Sequence, residues 1–124
     1  MAARMNPERR SSPRTPERLT LSLTEGAVGL QAETKNLSAS GTYCTLDRFL
    51  PPMTKLQLQF ELPDGSRRIP VRCTGVVVRV EPVVANSERG LYNVAIFFQD
   101  LAARDRSAIE RFVRQRLAAA PSTD

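Results

Sequence analysis

Apolar and polar residues alternate along most of this chain. Leu19, Leu21 and Leu23 interleave with Thr20, Ser22 and Thr24, the period-two pattern of a strand with one buried face. Glu25-Gly26-Ala27 turns the chain, and Val28 to Lys35 reads as a second strand. Small polar residues interrupt the pattern from Asn36 to Gly41, where the glycine can take a positive φ and make a turn. Thr42 to Leu46 resumes as a short strand, and Phe49-Leu50-Pro51-Pro52 breaks it. Leu56, Leu58, Phe60 and Leu62 then alternate with Gln57, Gln59 and Glu61, and Pro63-Asp64-Gly65-Ser66 is a hairpin signal. Ile69 to Val80 is the returning strand, Pro82 to Gly90 an exposed loop. Leu91 to Phe98 is the last strand, with Val94, Ile96 and Phe98 on one side.

The period changes in the tail. Between Ala103 and Ala119, Ile109, Phe112, Val113 and Leu117 recur at three- and four-residue spacings among arginines, which predicts an amphipathic helix laid on the strands. Ala102 stands where a polar helix cap is usual. Six short strands and one terminal helix point to an all-β fold, a six-stranded antiparallel barrel with a C-terminal amphipathic α-helix. Residues 1–17, with Pro7, Pro13 and Pro16 among Ser, Arg and Glu, read as a flexible arm; 18–118 as the barrel and helix; 119–124 as a disordered tail.

Composition narrows the function. A length of 124 residues suits one domain, and 41% apolar with 6% aromatic residues implies an aliphatic core. The formal charge of +5 comes from 16 arginines and 2 lysines against 13 acidic residues. Arginine, unlike lysine, presents a planar fork of donors that fits phosphates and purine edges. Arg4, Arg9, Arg10, Arg14 and Arg18 gather at the front, opposed by Glu8 and Glu17, so this end resembles an anion-binding arm. No apolar run is long enough to cross a membrane and no signal-peptide core precedes the strands, so a cytoplasmic protein without membrane insertion is expected. Cys44 and Cys73 lack ligand partners and read as small buried apolar residues. With no histidine, no nucleophile elbow and no phosphate-binding glycine loop, neither an enzyme nor a metal or cofactor site is expected.

Two constellations remain. Arg10-Ser11-Ser12-Pro13-Arg14 sets two guanidinium groups four residues apart, able to donate paired hydrogen bonds to a phosphate or to the O6 and N7 edge of guanine. Asn36-Leu37-Ser38-Ala39-Ser40-Gly41 offers an amide and a hydroxyl two residues apart, with a glycine that lets backbone N–H groups come close.

An RxxxR segment before the first strand, followed by (D/N)xSxxG between the second and third, resembles the PilZ domain family of bacterial cyclic di-GMP receptors. The resemblance continues through the valine-rich strand Val71 to Val80, the strand Tyr92 to Phe98 and the terminal helix. It implies that Arg10 and Arg14 grip guanine edges and phosphates of cyclic di-GMP. It further implies that Arg9 influences whether one ligand or an intercalated pair is bound. Asn36 would then bond a guanine edge, Ser38 a phosphate or nearby backbone, and Gly41 would form the pocket wall. Arg79 on the returning strand is the further barrel arginine, and Arg18 offers a second RxxxR register with Arg14. The chain departs from the pattern in Asn36, where aspartate is commoner, in Thr45, where an arginine can stand, and in having no aromatic on the returning strand.

The resemblance implies a receptor whose ligand orders the arm and presents a new surface to an effector protein in motility, pilus or exopolysaccharide machinery. A PilZ-like domain that has lost nucleotide binding and serves as a protein interaction module is the alternative. A barrel for nucleic acid polymers would need aromatic platforms along a groove, and the few aromatics here fall mostly at interior positions. Monomer and homodimer both remain open.

Overall fold

In a computed structural model, the structure describes residues 19–83 and 90–119. The chain forms β1 (Thr20–Glu25), β2 (Val28–Leu37), β3 (Gly41–Leu46), β4 (Lys55–Asp64), β5 (Arg67–Pro82), β6 (Tyr92–Phe98) and α1 (Ala103–Ala119). The strands close into an antiparallel barrel in the order β1-β2-β3-β6-β5-β4, and β1 returns to β4 through Leu23 opposite Leu58. Closure leaves no free sheet edge, so every strand has two neighbours.

The predicted alternation is the packing. Leu21 and Leu23, Leu56 through Leu62 at alternate positions, Val71 and Cys73, and Val94, Ile96 and Phe98 all point inward and are buried together. Both cysteines are free thiols within this interior. Helix α1 covers β4 and β5 with Ala108, Ile109, Phe112 and Val113. Leu117, expected on the same face, is 45% exposed because the apolar contact ends at Val113. The helix starts without a polar cap: Ala102 supplies only its carbonyl, to the N–H of Arg106 at 2.9 Å. Asp105 in the first turn places a carboxylate near the unpaired N–H groups, which offsets part of the missing cap.

Several strand boundaries differ from those the sequence predicts. β2 runs two residues further, so Asn36 belongs to a strand and the turn contracts to Ser38, Ala39 and Ser40. β5 starts at Arg67 and ends at Pro82, and β6 starts at Tyr92 rather than Leu91. The pairing register shifts between Thr34 and Asn36 in β2, and between Val77 and Arg79 in β5. Each bulge inserts one extra residue, Lys35 or Val78, and resets the inward-outward alternation. As a result Val78 and Arg79 are both exposed although they are adjacent.

Candidate ligand pocket

The two bulged strands flank the β3–β6 pair, and the pocket lies on the outer face between them. Cross-strand register aligns Asn36 with Tyr43, Tyr43 with Ala95, and Ala95 with Arg79, so one row crosses four strands. These residues line an open cavity of about 610 Å³, together with Ser40, Gly41, Val78 and Phe97. Three of the residues expected from the sequence, Asn36, Gly41 and Arg79, therefore share one cavity although they lie on three different strands. Arg9, Arg10, Arg14 and Arg18 lie outside the described residues, as do the expected arm and, beyond Ala119 at the end of α1, the expected tail.

Each of the described motif residues has a distinct structural reason. Asn36 sits at the β2 bulge with its side chain on the cavity side, and its carbonyl accepts a 2.8 Å hydrogen bond from the Thr42 hydroxyl. Ser38 is fully buried. Its hydroxyl accepts from the Ser40 N–H at 3.1 Å and lies 3.0 Å from the Ser40 hydroxyl, while its N–H donates to the Gly41 carbonyl at 2.9 Å. Ser38 thus shapes the turn from beneath, and Ser40 is the serine whose side of the turn lines the cavity. The Ser40 carbonyl accepts from the N–H of Phe98 at 2.9 Å, which pins the turn to β6.

Of the two reasons the sequence offers for Gly41, a positive φ and a close backbone approach, the structure shows the second. Its φ is not positive; Gly26, Gly65 and Gly90 are the positive-φ glycines among the described residues. A Cβ at position 41 would run into the backbone carbonyl of Ile96. The close approach of β3 to β6 is what excludes a side chain here and keeps this wall of the cavity open.

Arg79 presents its guanidinium beside Glu81, with Nε 3.8 Å from Oε2 and both side chains more than half exposed. A pair this long and this exposed holds Arg79 only weakly and leaves it available to an anion. Phe97 is 50% exposed and Val78 53%, giving the cavity an apolar floor beside its polar rim. β5 carries no aromatic, and Phe97 lies outside both motifs. The alternation that buries Ile96 and Phe98 already sends Phe97 outward, so the signal was present. Nothing in the motif spacing marked Ser40 or Val78.

Among the described residues no group of three metal-ligating side chains converges, and no helix is long and apolar enough to cross a membrane. Burial pushes both cysteine thiols up to about 12, with the nearby charges of Asp100 and Asp105 adding to the effect at Cys73. Neither is a nucleophile near neutral pH.

Known structures share this architecture. The chain superposes on the Bacillus subtilis inhibitor of motility MotI/DgrA with a TM-score of 0.80 at 20% identity, over 91% of this chain and 54% of that one. It therefore spans about half the length of MotI/DgrA. The PilZ domain of YcgR from Escherichia coli, solved with c-di-GMP, matches with a TM-score of 0.65 at 14% identity, over 89% of this chain and 92% of that one. The YcgR complex with c-di-GMP from the same organism gives 0.67 at 16% identity, over 89% and 47%. A comparison with curated protein sequences gives no match. The PilZ domain profile matches residues 8–115, a span that takes in Arg9, Arg10 and Arg14 as well as the whole barrel. The chain thus belongs to the PilZ domain family, a family of non-catalytic receptor and adaptor modules.

Proposed function

We propose that this protein is a cyclic di-GMP receptor in which the ligand is held between the β2–β3–β6–β5 face and the arginine segment preceding β1. The observation that carries this reading is the convergence of Asn36, Gly41 and Arg79 on one cavity that also offers Ser40, Tyr43 and Phe97. A cyclic dinucleotide needs phosphate donors, purine-edge partners and a flat apolar contact, and the cavity supplies one of each. Arg79 faces a phosphate, Asn36 pairs with a guanine edge through an amide that both donates and accepts, and Phe97 stacks beneath a base. Ser38 acts by holding the turn, and Gly41 by keeping the wall free of a side chain. Arg10 and Arg14 close over the ligand from the other side, and Arg9 bears on whether one ligand or two are bound. YcgR, which shares the fold, binds c-di-GMP through its PilZ domain, and this supports the same ligand here.

The output is a surface rather than a product. Ligand draws residues 9–14 against the barrel, and the new surface meets an effector protein in motility, pilus or exopolysaccharide machinery, in the cytoplasm where the messenger is made. The similarity to an inhibitor of motility favours the first of these.

Calorimetric titration of cyclic di-GMP into the protein, beside Arg14→Ala, tests the proposal. Saturable binding that is lost in the variant supports it, and the fitted stoichiometry distinguishes one ligand from a pair. Absence of heat together with no displacement of a labelled ligand overturns it in favour of an interaction module without nucleotide.

A further inference from the structure

The chain carries five phenylalanines, two tyrosines and no tryptophan. Phe60 stacks on Phe98, Phe49 meets Tyr92 edge-on with centroids 5.6 Å apart, and Phe112 holds the Arg116 guanidinium 4.7 Å from its centroid. Tyr43 and Phe97 complete the set, and among the described residues neither meets another ring or a cation. Both line the cavity on the outer face of the barrel. Phe97 is half exposed and Tyr43 half-buried. A ring on the outer face forgoes much of the burial that aromatic side chains supply in a core, and two of them beside one cavity offer flat apolar surface to a ligand.

The strand register sets the spacing of the two rings. β3 and β6 pair Tyr43 with Ala95 and Gly41 with Phe97. The rings thus occupy one diagonal of a two-by-two block, and the two smallest residues of the cavity lining occupy the other. Diagonal neighbours across an antiparallel pair lie roughly 7–8 Å apart. A planar ring held between two others needs about the same separation, twice the carbon–carbon contact distance of roughly 3.5–4.0 Å. Gly41 has no room for a Cβ, so the space between the rings depends on position 95, where alanine leaves it open and a leucine would fill it. Asn36 pairs with Tyr43 on one side of the block, and Arg79 with Ala95 on the other. A ring in this gap therefore has an amide at one edge and a guanidinium at the opposite edge.

We propose that Tyr43 is a second stacking residue of the pocket, so that one purine base is held between the Tyr43 and Phe97 rings, and that Ala95 is the size-determining position that admits it. This rests on the reading of the cavity as a cyclic di-GMP site. Tyr92→Phe, a change outside the cavity lining, leaves Tyr43 as the sole tyrosine in a chain without tryptophan. In that protein, tyrosine emission corrected for ligand absorption is expected to be quenched as cyclic di-GMP saturates the site. By calorimetry, Tyr43→Leu should lose affinity roughly tenfold, within the range for one stacked base, and Tyr43→Phe, which keeps the ring, should restore most of it. Ala95→Leu should lose on the order of tenfold or more with an unchanged denaturation midpoint, because position 95 faces outward. Binding that leaves Tyr43 emission unquenched overturns the proposal while the pocket reading stands, and so does wild-type affinity in Tyr43→Leu or in Ala95→Leu. An equal loss in Tyr43→Phe and Tyr43→Leu assigns the effect to the hydroxyl and also overturns stacking. The emission readout needs neither leucine variant to fold. A wild type that binds no cyclic di-GMP by calorimetry overturns the reading of the pocket, and this inference with it.

Discussion

Gly41 lies against the backbone carbonyl of Ile96, with no room for a Cβ between them. Gly75 is crowded by side chains instead, the Ile96 Cγ2 at 2.6 Å and the Leu58 Cδ1 at 2.7 Å from where its Cβ would be. The distinction decides the cost of an added methyl group, because side chains can rotate and a laddered backbone cannot without parting β3 from β6. Gly41→Ala is expected to lose on the order of 3 kcal/mol of unfolding free energy, and Gly75→Ala about 1 kcal/mol, in chemical denaturation. An equal loss would mean that the β3–β6 ladder yields more easily than its register implies.

Phe97 and Phe98 are neighbours with opposite surroundings. Phe98 is buried and stacks on Phe60 with ring centroids 6.1 Å apart, whereas half of Phe97 faces solvent over the cavity. Phe98→Ala should cost about 3–5 kcal/mol of stability. Phe97→Ala should leave stability within about 0.5 kcal/mol and weaken cyclic di-GMP binding by about 1–3 kcal/mol, the worth of one stacked base. Denaturation and calorimetry on the two variants check both halves. A Phe97→Ala protein that binds normally would remove the base-stacking role.

Cys44 and Cys73 are buried with thiols raised to about 12 by desolvation. The native protein is therefore expected to resist iodoacetamide at pH 8 and to label at both positions only after unfolding. The same shift has a sign for stability. Each folded thiol pKa lies above the unfolded value of about 8.5, so this contribution is complete below that value and falls as pH rises towards 12. Urea midpoints that decline above pH 9, and decline less in Cys44→Ala, are the expected record.

Much of the barrel was legible because closure makes every strand one-sided: Leu56, Leu58, Phe60 and Leu62 must face in, and the glutamines between them must face out. The two bulges were not legible. Lys35 and Val78 carry no mark that distinguishes an inserted residue from an alternating one, and the bulges decide that Val78 and Arg79 both line the cavity. Gly41 was found as part of a motif, yet its reason, the approach to Ile96, depends on a strand more than fifty residues away. Ser38 was found and Ser40 was not, because the motif names the residue that shapes the turn rather than the one beside the cavity. Leu117 kept helical period with the core residues but is exposed, past Val113, the last buried core residue of α1. The helical pattern marks a face without saying where the barrel stops.

The segment joining β6 to α1 is tied to Thr74 of β5 by a carboxylate and a backbone bond. Asp100 accepts the N–H of Thr74 at 2.6 Å on Oδ1 and its hydroxyl at 3.1 Å on Oδ2, while the Thr74 carbonyl takes the N–H of Gln99 at 2.8 Å. The Thr74 N–H, the largest influence, holds the Asp100 carboxyl below its ordinary value. A folded pKa below the unfolded value of about 4 means that the contribution is complete above pH 4 and is lost as pH falls through the folded value. Asp100→Asn keeps the shape but exchanges a charged acceptor for a neutral one, so it should be less stable than the wild type at pH 7. The gap between the two should close as pH falls below 4. Denaturation midpoints of both proteins between pH 2 and 7 test this, and a gap that persists unchanged at pH 2 would show that shape, not charge, anchors the helix to β5.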